Sequence, residues 1–109
     1  MFLSVLSRRR LQSLIERHLT AAQNKKMFYT YILYSESADK FYIGQTSNMS
    51  ERIIFHNKGY QTYTKKYIPW KLVLSIEKET RSEAIILERK LKNLNRERLI
   101  AFIDKYKLH

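Results

Sequence analysis

Tyrosine hydroxyl groups are concentrated early in the chain, at Tyr29, Tyr31, Tyr34 and Tyr42. Tyrosine is a common strand residue whose ring packs while its hydroxyl reaches water, so each one alone has a structural explanation. A phenol with a pKa of about 10 becomes a usable base only beside a cation or an arginine. The chemistry of these hydroxyls therefore depends on which charged groups the fold brings to them.

Arg52 and His56 lie four residues apart and would share one face of a helix. An arginine offers phosphate a planar, two-pronged hydrogen-bond donor. We expect the Ile53 side chain to point towards the core, which places the helix face of Arg52 and His56 along the surface of the sheet. The alternative is an ordinary solvated helix face.

Glu88 lies beside the apolar stripe of its expected helix, which comprises Ala84, Leu87, Leu91 and Leu94. At about 100° per residue, Glu88 falls about 40° from Ala84 and about 60° from Leu91. A carboxylate on that inner flank needs a partner, because an unpaired buried charge is costly. The partner is either an arginine in an ion pair or a bound cation. A lone carboxylate and a substrate phosphate can together hold one Mg²⁺ or Mn²⁺, so these residue types suit phosphodiester cleavage.

Hydrophobic patterning, turn residues and helix caps predict six elements that would position these residues. The expected strands are Phe28–Tyr34, Phe41–Gly44 and Trp70–Glu77, and the expected helices are Met49–Lys58, Glu83–Asn93 and Arg96–Lys107. The segment 60–68 is expected to be a loop, and the last helix is expected to bury Leu99, Ile100, Phe102 and Ile103. The order β-β-α-β-α-α predicts an α+β fold, a three-stranded antiparallel sheet flanked by helices.

Composition narrows the classes of function. The 109 residues include no cysteine, which excludes a disulfide framework, a thiolate zinc site and a cysteine nucleophile. No apolar run approaches the roughly 20 residues that span a bilayer. The formal net charge of +11 predicts a polyanionic partner, either nucleic acid or an anionic membrane.

Residues 1–26 differ in composition from residues 27–109, which we expect to form one domain. They hold six Lys and Arg residues against one acid, Glu16, and their pattern predicts a basic amphipathic helix. Three interpretations stay open: a segment upstream of a true start at Met27, an added docking or nucleic-acid-binding helix, and an organellar transit peptide. Organellar targeting is the least favoured of the three.

The spacing of the reactive residues resembles that of the GIY-YIG nuclease superfamily. Tyr29-Thr30-Tyr31 stands in the GIY position, with tyrosine replacing its glycine, and Tyr42-Ile43-Gly44 is a literal YIG. Tyr42 follows Tyr31 by 11 positions, Arg52 follows Tyr42 by 10, and His56 follows Arg52 by 4. The run SEAIILERKLK looks like the family helix whose glutamate falls on Glu88. The resemblance covers residues 27–105 and is closest to small single-domain members, and more distantly to the amino-terminal nuclease domain of the bacterial excinuclease.

The resemblance implies a role for each matched residue. Tyr31 would act as the general base, and Tyr42 would hydrogen-bond the attacking water or the phosphate. Arg52 would stabilise charge on the phosphate, and His56 would orient or share a proton. Glu88 would hold one divalent cation, Mg²⁺ or Mn²⁺.

Further residues look like family contacts to nucleic acid. Tyr63-Thr64-Lys65-Lys66 resembles the family's YT-basic segment. The expected contacts are Thr64, Lys65, Lys66, Tyr29 and Asn57. A family asparagine that follows the glutamate matches either Asn93 or Asn95, and the sequence does not choose between them.

The resemblance therefore implies a metal-dependent DNA endonuclease of low sequence specificity, acting in repair or recombination in the cytoplasm at the nucleoid. RNA stays open as a substrate, and a protein partner is expected to supply target choice. The chain is expected to be a monomer or a weak dimer. The alternative is a non-catalytic nucleic-acid-binding or adaptor module with the same fold.

Overall fold

The first strand lies at the centre of a three-stranded sheet, and its residues pack into a hydrophobic core on each face of that sheet. The computed structural model describes residues 25–107. In chain order the elements are β1 (Phe28–Ser35), β2 (Lys40–Thr46), α1 (Met49–Asn57), a short 3₁₀ helix (Thr64–Tyr67), β3 (Lys71–Lys78), α2 (Arg81–Lys92) and α3 (Arg96–Lys107). The predicted α+β fold and its element order are confirmed, and the 3₁₀ helix lies within the segment expected to be a loop.

Two further expectations concern the amino-terminal segment and the crossing of a membrane. The basic helix predicted within residues 1–26 lies outside the described residues, apart from Lys25 and Lys26. Among the helices of residues 25–107, none has the length and apolar character that crossing a membrane requires.

The sheet has the order β2-β1-β3, and both pairings are antiparallel. Tyr31 lies opposite Gly44 on β2 and opposite Ser75 on β3. Because successive strand residues face opposite sides, Tyr31 faces one side of the sheet while Thr30 and Ile32 face the other.

Each face of the sheet has its own core. The face covered by α2 and α3 buries Ile32, Ile43, Leu91, Leu99 and Ile103. The other face buries Tyr31, Leu33 and Trp70, against which Tyr42, Met49, Ile53 and Tyr67 pack. The expected inward turn of Ile53 is confirmed. The expected burial of Ile100 is wrong, because α3 centres its buried side on Leu99 and Ile103 and leaves Ile100 38% exposed.

Side-chain caps determine where the two functional helices begin. The Asn48 side chain accepts a hydrogen bond from the Glu51 backbone N–H, and the Thr80 side chain accepts one from the Glu83 N–H. Gly59 follows α1 with a φ of +78°, a conformation that favours glycine. These caps fix the helical phase of α1 and α2, and hence which of their residues face the sheet.

Candidate active site

Gly44 makes room for the ring of Tyr31. The two residues are directly opposite across β1 and β2. A Cβ atom at Gly44 would lie 2.5 Å from the Tyr31 hydroxyl oxygen and 2.6 Å from its Cζ atom. The glycine of the YIG sequence is thus required by the tyrosine ring that lies across it.

A buried hydrogen-bonded chain runs from β1 through α1 to the 3₁₀ helix. The Tyr31 hydroxyl lies 2.8 Å from His56 Nε2, and His56 Nδ1 lies 2.9 Å from Thr64 Oγ1. Tyr31 is 2% exposed, and both His56 and Thr64 are 0% exposed. The structure therefore places two of the predicted catalytic residues in direct contact.

Tyr42 flanks this chain. Its ring centroid lies 5.0 Å from that of His56 and 6.3 Å from that of Tyr31. The Tyr42 hydroxyl accepts a hydrogen bond of 2.7 Å from Gln61 Nε2, while Gln61 Oε1 accepts one of 3.2 Å from the Thr64 N–H. Gln61 was not predicted from the sequence, because a polar residue in a loop has no periodicity to signal a contact with a distant strand.

The electrostatics of the site favour neutral forms of Tyr31 and His56. Burial, followed by the nearby Tyr42, raises the pKa of Tyr31 above its ordinary value. The charge of Glu88 also raises that pKa, whereas the charge of Arg52 lowers it. Burial, assisted by Arg52, lowers the pKa of His56 to about 4, so His56 is neutral at neutral pH.

Arg52 lies beside the hydrogen-bonded chain. Its guanidinium Cζ lies 4.8 Å from the ring centroid of Phe55, and its side chain lines a cavity of about 240 Å³ at the start of α1. Within residues 25–107 no hydrogen bond joins Arg52 to Tyr31. Arg52 therefore influences Tyr31 through its charge.

Glu88 is positioned by a contact one helical turn earlier. The Thr30 hydroxyl donates a buried hydrogen bond of 2.8 Å to the Ala84 carbonyl, which ties α2 to β1 next to Tyr31. The Glu88 side chain is 18% exposed, which agrees with the inner-flank position predicted from the helical pattern. Glu88 thus lies on the part of α2 that is held against the strand of Tyr31.

Within residues 25–107, the side chain that pairs with Glu88 is Lys92 and not the arginine that was one of the two expected partners. Lys92 Nζ lies 3.0 Å from a Glu88 carboxylate oxygen, and the lysine side chain is 52% exposed. Such a pair contributes only about 0.3–0.5 kcal/mol, so a divalent cation can displace it. Within the described part of the chain, no three His, Asp or Glu side chains form a metal-binding cluster. A single carboxylate of this kind fits Mg²⁺ or Mn²⁺, which keep most of their coordination for water and phosphate.

Two of the residues predicted to contact nucleic acid have internal partners. The Asn57 side chain donates a 3.0 Å hydrogen bond to the Trp70 carbonyl and accepts a 2.6 Å bond from the Trp70 N–H. The Trp70 indole N–H in turn donates to the Thr64 carbonyl at 2.8 Å. Because Thr64 is fully buried and bonded to His56, the structure gives it an internal role in place of the expected contact with phosphate.

The other predicted contacts lie nearer the surface. Lys65 and Lys66 are exposed. Tyr29 is half-buried, and its hydroxyl donates a long hydrogen bond of 3.4 Å to Glu77. The roles of these residues in nucleic-acid binding stay predictions.

Both candidate asparagines that follow Glu88 lie at helix ends. Asn93 closes α2. The Asn95 side chain accepts a hydrogen bond of 2.9 Å from the Arg98 N–H at the start of α3. The structure brings neither asparagine into the hydrogen-bonded chain of Tyr31.

The family model of the GIY-YIG catalytic domain matches residues 27–101, which include all five predicted catalytic residues. The chain belongs to the GIY-YIG family. The resemblance stated from the sequence is thereby confirmed, and the family gives this chain a nuclease-type fold.

A solved structure supports the same fold. The chain is similar to the UPF0213 protein BH0048 from Bacillus halodurans, determined by solution NMR, with 27% sequence identity and a TM-score of 0.51. The similarity covers 74% of this chain and 86% of that protein. Among curated proteins, none matches this chain.

Proposed function

We propose that this GIY-YIG protein is a metal-dependent endonuclease that hydrolyses phosphodiester bonds in DNA. The observation that carries the proposal is the buried chain of Tyr31, His56 and Thr64, whose tyrosine hydroxyl experiences the charges of both Arg52 and Glu88. Apolar residues would fill this space at a lower cost in free energy, because every group of a buried polar network needs a hydrogen-bond partner. A chemical role explains why this one is polar.

In the proposed reaction, Tyr31 in its deprotonated form takes the proton from the attacking water, whose oxygen bonds to phosphorus as the bond to the leaving ester oxygen breaks and that oxygen takes a proton from solvent. Burial makes this deprotonated form scarce, and positive charge beside it, from Arg52 and from the cation that Glu88 would hold, favours it. Arg52 also stabilises the negative charge of the phosphate, and neutral His56 holds the Tyr31 hydroxyl in place. Glu88 would hold the divalent cation, which supplies further charge neutralisation at the phosphate when bound.

A basic and aromatic surface adjoins the site. Lys58, Lys65 and Lys66 are exposed around the loop that follows α1. Tyr60 is 68% exposed and Tyr63 is 48% exposed on the same loop. Lysines of this kind bind phosphates without reading sequence, which supports a nucleic-acid substrate and low sequence specificity. A role in repair or recombination, with a protein partner that selects the target, belongs to this proposal.

Glu88→Gln tests the proposal, because it removes the charge and keeps the shape. We expect nicking of supercoiled plasmid in Mg²⁺ or Mn²⁺ to fall on the order of 10³-fold, as the loss of transition-state charge stabilisation predicts. DNA binding should persist, since it depends on exposed lysines. Glu97→Gln is the matched control, because Glu97 is an exposed glutamate in the first turn of α3.

Two results would contradict the proposal. Cleavage by Glu88→Gln at the wild-type rate would remove Glu88 from the reaction. Binding of DNA by the wild-type chain without any cleavage in either metal would identify a nucleic-acid-binding module in place of a nuclease.

A further inference from the structure

We propose that Thr64 is a positioning residue that selects one tautomer of His56. In this tautomer Nε2 carries the proton and donates a hydrogen bond to the Tyr31 oxygen. The inference rests on the proposed function, because it concerns the residue proposed as the base. It assigns to Thr64 a part in the reaction that differs from the phosphate contact expected from the sequence.

The hydrogen-bonded chain holds one proton more than its hydrogen bonds use. Tyr31, neutral His56 and Thr64 each carry one polar proton, but only two hydrogen bonds join the three groups. One proton is therefore left over at one end of the chain. If His56 carries its proton on Nδ1, the surplus proton lies on Thr64, and if on Nε2, the surplus lies on Tyr31.

The surroundings of the two ends differ. Thr64 is 0% exposed, and within residues 25–107 its hydroxyl bonds only to His56. A surplus proton there would be a buried donor without an acceptor, which proteins avoid. The Tyr31 hydroxyl instead lies near polar and charged groups of three elements: Tyr42 on β2, Arg52 and His56 on α1, and Glu88 on α2. Within residues 25–107 the Tyr31 hydroxyl also bonds only to His56, but the oxygens of Tyr42 and Glu88 near it are acceptors. The surplus proton is therefore better accommodated at the Tyr31 end than at Thr64.

Protonation of His56 on Nε2 would help Tyr31 to act as a base. Thr64 donates to Nδ1, and His56 then donates from Nε2 to the Tyr31 oxygen. A hydrogen bond donated to the anionic form of a group favours that form, so it opposes the effect of burial on Tyr31. The proton of Tyr31 itself then points away from His56, and its loss to solvent gives the tyrosinate that acts as the base.

The first experiment determines the tautomer directly in the full chain. Long-range proton–nitrogen NMR correlations show which ring nitrogen of His56 is protonated, and His56→Gln assigns the signal among the three histidines. In the wild-type protein at neutral pH we expect the proton on Nε2. In Thr64→Val, which keeps the shape and removes the hydroxyl, we expect a mixture of tautomers, and Thr64→Ser should restore the wild-type spectrum.

Thr30→Val is the matched control. Thr30 is also a buried threonine with one hydrogen bond, but its partner is the Ala84 carbonyl. The variant should leave the tautomer of His56 unchanged. A proton on Nδ1 in the wild-type protein, or the same tautomer in wild type and Thr64→Val, would overturn the inference.

The second experiment connects the tautomer to the reaction. In plasmid nicking followed against pH, Thr64→Val should shift the rising acidic limb to higher pH by about one unit, the scale set by one lost hydrogen bond to a charged group. Thr64→Ser should return the limb to its wild-type position. An unshifted limb would show that Thr64 has no such part in the reaction. The NMR result needs no activity, so a chain that fails to cleave would contradict the proposed function and leave the tautomer assignment standing.

Discussion

The two faces of the sheet are built on different principles. The face covered by α2 and α3 has a core of aliphatic residues, with Ile32 1% exposed at its centre. The face covered by α1 and the 3₁₀ helix instead buries a tyrosine, a histidine and a threonine in one hydrogen-bonded chain. Neighbouring residues of β1, Tyr31 and Ile32, belong to opposite faces.

The two faces therefore contribute to different properties of the protein. Burial of aliphatic side chains stabilises a fold without directional requirements. A buried polar chain is favourable only when all its partners are present, so it adds little net stability and demands well-defined geometry. We infer that the aliphatic face stabilises the domain and holds α2, which carries Glu88, while the polar face supplies the hydrogen-bonded chain of Tyr31.

Tyr31→Phe tests the polar face and should have the largest effect. The variant keeps the ring against Gly44 and removes the proposed base, for which we expect a loss of activity of about 10²–10⁴-fold in plasmid nicking. It also leaves His56 Nε2 without a partner, at a cost of about 1–3 kcal/mol measured by urea unfolding. Nicking at the wild-type rate by a folded Tyr31→Phe protein would contradict the assignment of Tyr31 as the base.

Ile32→Ala tests the aliphatic face one residue further along β1. Removing this fully buried side chain should lower the free energy of unfolding by about 3 kcal/mol, measured by urea denaturation. Activity per folded molecule should change by less than about threefold, since the residue does not face the polar chain. Ile86→Ala is the control, since Ile86 is 61% exposed and its truncation should cost little. A loss of activity per folded molecule well beyond about threefold in Ile32→Ala would show that the two faces are not separate in function.

The pH dependence of stability gives a smaller effect that is specific to the polar face. The pKa of His56 is about 4 in the folded chain and about 6.5 when unfolded, so the unfolded state binds more protons between these values. Stability should therefore be lost as pH falls from about 6.5 towards 4, by about 1 kcal/mol in the first full unit below 6.5.

His56→Gln should lack this contribution, while the other histidines contribute equally to both proteins. The measurement is the free energy of unfolding by urea at several pH values. Equal slopes for the wild type and His56→Gln would show that His56 is not held neutral by burial.

The fold was largely predictable from the sequence because its signals are local. The alternation of aromatic and β-branched residues in β1 and the capping residues Asn48 and Thr80 depend on neighbours a few positions away. The inner-flank position of Glu88 followed from helical geometry and is confirmed. The predicted burial of Ile100 was wrong, because the residues that α3 buries depend on how the helix is rotated against the sheet.

The sequence by itself determined the element order, the family pattern and the types of residue available for chemistry. Only the tertiary structure decided which of them are hydrogen-bonded to each other: Tyr31 to His56, His56 to Thr64, and Gln61 to Tyr42. These contacts join residues 8 to 25 positions apart on different elements. A hydrogen bond depends on distances and angles set by packing, and no local preference of a single residue encodes those.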